Sequence, residues 1–167
     1  MSGKETRPGM RKDITPRTPR PKQHDTYARS RKTSGAIVCG GCGVVSHAGR
    51  WSWGAAPGVD ASAGLCPACE RIRDRYPAGT IRLPPSFLDD REELLALIHN
   101  AEEAEKVEHP LERLMGVEDG PDGGLIVTTT GIHVARRIAN KLERRFHRPA
   151  NIRYPPEQNL IFVDWGT

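Results

Sequence analysis

Cys39-Gly40-Gly41-Cys42 and Cys66-Pro67-Ala68-Cys69 form two CxxC pairs separated by 23 residues, and the chain holds no other cysteine. Two thiolates two residues apart can wrap one side of an ion at Zn–S distances of about 2.3 Å, and a second pair closes the other side. The spacing therefore predicts one tetrahedral Zn2+ site with Cys39, Cys42, Cys66 and Cys69 as ligands. Four thiolates leave no open position for water, so such an ion organises a fold and hydrolyses nothing. The alternatives are two disulfides or a redox CxxC. Both disulfides require an oxidising compartment, whereas the chain opens Met1-Ser2-Gly3-Lys4 without an apolar leader stretch. A thioredoxin-type motif occurs once, between strand and helix, and here there are two pairs.

A metal at the centre suits a chain with little apolar material. Of 167 residues 37% are hydrophobic, and 14 prolines and 17 glycines interrupt the rest, which favours two small units over one large core. No run of about 18 apolar residues exists, so a soluble, cytoplasmic protein is expected. The net charge of +4 hides an asymmetry: residues 1–34 carry ten Lys or Arg against three acids, with Tyr27 their one aromatic. Such a segment cannot bury enough surface to offset its ordering entropy, and reads as a disordered basic arm. Arms of this kind settle on nucleic acid by releasing counterions; the alternative is a solubilising tail.

Residues 35–83 read as the zinc head. Ile37-Val38 and Val44-Val45 suggest a hairpin tipped by Cys39-Gly40-Gly41-Cys42-Gly43, and Glu70 to Tyr76 a short helix ended by Pro77 and Gly79. In residues 84–110, Ser86 offers an N-cap, and leucines at helical spacing predict a helix from Phe87 to Val107 with a heavily acidic outer face. That face reads as solvated surface, or as a dock for a basic protein or for the arm. Residues 111–167 alternate as a strand to Glu118, a Gly/Asp/Pro turn, the strand Leu125 to Thr129, a helix from Ile132 to His147 capped by Thr130, and a last hairpin of Asn151–Tyr154 with Leu160–Trp165. The expected fold class is α+β: a zinc-ribbon-like head, a linking acidic helix and a small ββαββ domain, preceded by the arm.

Outside the metal site, the last helix carries the clearest pattern. Ile132, Ala135, Ile138, Ala139, Leu142 and Phe146 gather on one face, and Arg137, Lys141, Arg144 and Arg148 fall on the other, flanked by Arg136 and Arg145. Guanidinium forks suit phosphate, so the stripe reads either as a phosphate-tracking surface or as an ordinary solvated face. Thr128 to Gly131 at its start reads as capping rather than as an anion site. Arg50, Trp51 and Trp53 lie between the ligand pairs, and Arg71, Arg73 and Arg75 follow the last ligand. The tryptophans could stack on unpaired bases, although at least one is expected to fill the small head's core.

Catalytic constellations are lacking. The zinc-deaminase pattern fails because proline lies inside the second pair and no His-x-Glu stands upstream. P-loop and GxGxxG motifs are absent, and His109-Pro110 with Glu112-Arg113 reads as a turn after a long helix. A non-enzyme is expected, with no small-molecule substrate.

The stretches His47 to Gly54, Leu65 to Gly79, Glu102 to Met115 and Val127 to Ile138 resemble a family of small bacterial proteins with this head-and-tail plan, over residues 36–165. More distantly, the plan is similar to the N-terminal region of the ribosomal-subunit export adaptor family, the nonsense-mediated decay protein three family. That family has paired CxxC knuckles followed by an α+β segment that engages the large ribosomal subunit. The resemblance implies zinc at the four cysteines and a ribosomal or RNA partner, with ribosomal proteins as further partners. This chain departs from the adaptor in its single four-cysteine set and lacks the long C-terminal extension. The expected function is RNA binding, ribosomal first; the alternative is a protein-interaction adaptor using the acidic helix and the small domain.

Overall fold

The computed structural model describes residues 25–27, 35–55 and 61–166. Two sheets and three α-helices make an α+β fold among these residues. The expected disorder of residues 1–34 lies outside the described residues except at 25–27, which dock on the head.

The head is a four-stranded sheet, β1 (Ile37–Cys39), β2 (Val45–His47), β3 (Arg50–Ser52) and β4 (Ser62–Gly64), in the order β3-β2-β1-β4. The hairpin read from Ile37-Val38 and Val44-Val45 is present, with Val38 opposite Val45. β2 and β3 join through Ala48 and Gly49, both at positive φ (50° and 80°), as a two-residue hairpin whose twist matches its strands requires. Helix α1 (Pro67–Asp74) begins three residues before the expected start at Glu70, because Cys66 is its N-cap and Pro67 fills its first position. Arg75 ends it in the left-handed conformation.

The body is a five-stranded sheet of β5 (Gly79–Leu83), β6 (Leu114–Asp119), β7 (Leu125–Thr129), β8 (Asn151–Arg153) and β9 (Ile161–Asp164), ordered β6-β7-β5-β9-β8. The expected ββαββ elements are all present, but their sheet is completed by β5, which the sequence reading grouped with the head. β5 sits at the centre, antiparallel to β7 and parallel to β9. Its Ile81 and Leu83 are fully buried. Helices α2 (Arg91–Glu108) and α3 (Ile132–Phe146) cover the inner face through Leu94, Ile98, Ala101, Val134, Ile138 and Leu142. Burying each such aliphatic side chain is worth about 1.5–3 kcal/mol. Phe87 stacks on Phe146 at 4.2 Å and leans on Trp165, closing the end of this core.

Two caps differ from expectation. Residues Pro85–Phe87 form a separate 3-10 turn, and α2 is capped by Asp90, whose carboxylate accepts from the Glu93 N–H, not by Ser86. α3 starts at Gly131 without a side-chain cap of its own; Thr130 instead binds Leu111 and Arg113. No α-helix among the described residues is long and apolar enough to cross a membrane.

Candidate metal centre

The four cysteines come from three local structures. Cys39 ends β1, Cys42 closes the knuckle, Cys66 caps α1 and Cys69 lies in its first turn. Gly41 allows close approach, since a Cβ there would stand 3.0 Å from Cys69 Sγ and crowd the sulfur. Gly43 holds φ +78° and lets its N–H turn back to the Cys39 carbonyl at 2.8 Å.

All four sulfurs lie within 4.8 Å of one another and none is in a disulfide. Cys42 Sγ and Cys66 Sγ are 3.7 Å apart. A disulfide needs about 2.05 Å, whereas a tetrahedron with bonds of about 2.3 Å has edges of about 3.8 Å. The set therefore fits a metal ion and not a pair of disulfides. The electrostatics agree. Burial pushes the Cys66 and Cys69 thiols up. Burial acts on Cys39 too, but N–H groups of Cys66 and Gly41 donating to its sulfur bring it down to about 6. Gathering four thiolates here calls for positive charge at their centre, which a cation supplies.

Part of that charge comes from Arg113, a residue the cysteine spacing gives no hint of. Its guanidinium donates to Cys66 Sγ at 3.1 Å, Cys42 Sγ at 3.2 Å and Cys69 Sγ at 3.6 Å. Its Nε donates to the Pro110 carbonyl at 2.7 Å, and Thr130 Oγ1 accepts its backbone N–H. The cation is buried, and the sulfurs hold its pKa up against desolvation. Backbone donors add to it: Cys66 N to Cys39 Sγ at 3.2 Å and Cys69 N to Cys66 Sγ at 3.4 Å. Outer hydrogen bonds of this kind orient ligands and tune a metal site. The turn at His109 to Arg113, expected to be a mere connection, is thus where body meets metal centre.

Glu112, beside it, does what Thr130 was expected to do. Its carboxylate accepts the Val134 N–H at 2.9 Å and so caps α3 from another element. Desolvation pushes its pKa up. The start of α3 is therefore filled by the chain's own carboxyl group, against which Gly131 packs without room for a Cβ.

The residues read as RNA contacts divide sharply. Arg71 is buried, bonded to Asp25 at 2.6 Å and to the Tyr76 carbonyl, with its guanidinium 4.4 Å from the Tyr27 ring centroid. It anchors residues 25–27 and has no free face for RNA. Arg73 pairs with Asp74, while Arg50 and Arg75 are exposed. Trp51 packs on the cysteine cluster, as expected of one tryptophan; Trp53 is 42% exposed and donates to the Lys106 carbonyl, tying head to α2.

On α3, Arg145 makes a two-pronged pair with Glu93, and Arg137 lies 3.0 Å from Glu105, both carboxylates belonging to α2. Arg148 binds Ser86 and the Gly166 carbonyl. The acidic helix is thus partly a counter-surface for the arginine stripe, and Glu102 also turns inward, to the Leu114 N–H. Arg136, Lys141 and Arg144 have no carboxylate partner among the described residues. No protein-family model, no curated protein and no solved structure matches this chain.

Proposed function

We propose that this chain is a non-enzymatic zinc protein that binds structured RNA, ribosomal RNA foremost. The observation that carries this is the unpaired group Arg136, Lys141 and Arg144, three cations on one side of α3 that the acidic helix leaves free while it neutralises Arg137 and Arg145. Guanidinium and ammonium groups spread over about two turns of one helix suit a run of phosphates. The basic segment 1–34, with ten cations in the sequence, adds to the same attraction.

Zinc is the ion that best suits four thiolates around a single centre, and a saturated site of that kind supports a structural role. A cytoplasmic setting, where thiols stay reduced, suits the four free cysteines. The adaptor alternative has less support, because Glu93, Glu102 and Glu105 of the acidic helix engage the body.

Filter binding to purified ribosomal subunits tests the reading. Affinity should fall steeply between low and moderate salt and should drop on the combined change Arg136→Gln, Lys141→Gln and Arg144→Gln. Salt-independent binding, or binding indifferent to those three changes, contradicts it.

A further inference from the structure

A cavity of about 520 Å³ opens between head and body. Trp51, Pro110 and Leu111 give it an apolar wall, and Arg50, Glu108 and His109 bring polar groups to its rim. A second hollow of about 590 Å³ runs between α2 and α3, lined by Arg136, Arg137, Lys141 and Arg144. Glu105 and His133 line both, so the two hollows adjoin at these residues as halves of one groove.

The halves have complementary chemistry. The α3 half is cationic, and its acid, Glu105, is engaged by Arg137 at 3.0 Å with His109 at 3.8 Å. The inter-unit half combines an aromatic ring with a carboxylate acceptor, Glu108, and a guanidinium donor, Arg50. Glu112 at its floor is held by the Val134 N–H. A few convergent polar groups on an apolar wall, in a volume of this size, describe a small-ligand pocket. A cationic wall on one side and a recess with an apolar wall on the other suit the phosphates and the base of a nucleotide.

We infer that this cleft binds single-stranded RNA, with the strand's phosphates along Arg136, Lys141 and Arg144 and one unpaired base lodged beside Trp51 between head and body. The inference rests on the RNA-binding reading and adds to it a preference for an unpaired strand. A paired base cannot enter the recess, because its polar edge and both faces are already occupied in the duplex. An unpaired base offers a face for stacking and an edge for Arg50 and Glu108.

The test is fluorescence anisotropy on the zinc-loaded full chain with three labelled oligoribonucleotides of one length: a single strand, its fully paired duplex, and an abasic strand that keeps every phosphate. The single strand should bind about tenfold more tightly than the abasic strand. The changes Arg136→Gln, Lys141→Gln and Arg144→Gln together should flatten the salt slope for the single strand by about two. Arg50→Ala with Glu108→Ala, both exposed and away from the cores, should narrow the preference for the single strand over the abasic strand, leaving the part that stacking beside Trp51 supplies. Equal affinity for the single and abasic strands overturns the base recess while leaving RNA binding intact. A preference for bases left undiminished by Arg50→Ala with Glu108→Ala overturns its placement in this cavity. Failure of all three oligonucleotides to bind overturns both readings.

Discussion

The Arg113 guanidinium stands 3.1 Å from the sulfur of Cys66, joining the body to a cysteine 47 positions earlier in the chain. Through this one residue the metal centre and the start of α3 share a support, because the backbone N–H of Arg113 donates to Thr130 Oγ1 and its neighbour Glu112 caps the helix. The head is thereby seated on the body and is not simply tethered to it.

Replacing Arg113 with Met keeps an aliphatic stem but removes three N–H···S contacts and the charge beside four thiolates. Zinc affinity measured by chelator competition should fall by about 10–100-fold. Arg113→Lys should recover only part of this, since one ammonium cannot reach three sulfurs as a planar fork does. Unchanged affinity in both variants contradicts a role at the centre.

Cys66→Ser removes a ligand and alters the N-cap of α1 together. The apolar cluster of the head is small, formed around Cys39, Val44, Cys66 and Ala68. In a unit of this size metal-binding energy is folding energy, so zinc should be lost and the head should unfold. The body has its own core and should stay folded. Hydrogen exchange resolved by segment should show protection lost over β1, β2, β3 and β4 and kept over β5, β7 and β9. One retained equivalent of zinc with a native melting curve contradicts the prediction.

Glu112 sets a pH dependence. Its folded pKa lies above the usual 4.5 because burial disfavours the charged carboxylate. The folded state therefore holds its proton to higher pH than the unfolded chain. The stability this group contributes is fully present below 4.5 and is lost as pH rises through the folded value. Glu112→Gln carries no such charge, so its melting temperature should gain on the unsubstituted protein as pH rises above 4.5. Glu112→Ala leaves the Val134 N–H without its acceptor and should cost about 1–3 kcal/mol. A Gln variant that loses ground as pH rises contradicts the assignment.

Local signals in the sequence carried the cysteine quartet, the knuckle hairpin, β7 and α3, since each is written in spacing or in a run of β-branched or periodic apolar residues. β5 was missed because its five residues, Gly-Thr-Ile-Arg-Leu, follow Pro77-Ala78 and precede Pro84-Pro85, so turn chemistry on both sides obscures a strand that only its long-range partners β7 and β9 define. The Ser86 cap failed because Pro84 and Pro85 favour a 3-10 turn, leaving Asp90 to open α2. Arg113 and Glu112 were invisible as functional groups. The sulfurs that Arg113 meets lie 44 to 71 positions away and the N–H that Glu112 accepts lies 22 away, and no local pattern encodes such contacts. The arginine stripe was legible as charge, but its neutralisation by Glu93 and Glu105 follows from the packing of α2 on α3.

Gly79 reports on the seating of β5 in the body. A Cβ there would collide with Thr129 Oγ1 and Ala135 Cβ, where β5 meets β7 and α3. Gly79→Ala should destabilise the body by about 1–3 kcal/mol, a drop of about 2–4 °C in Tm for each kcal/mol. An unchanged Tm contradicts the central position of β5.

The most direct test of the account is elemental analysis of the protein purified under reducing conditions, paired with a count of free thiols before and after chelation. One equivalent of zinc per chain, released with exposure of four thiols, is the predicted result. A folded protein with no stoichiometric metal, or with its cysteines joined in disulfides, would contradict the four-thiolate centre on which the arrangement of head and body depends.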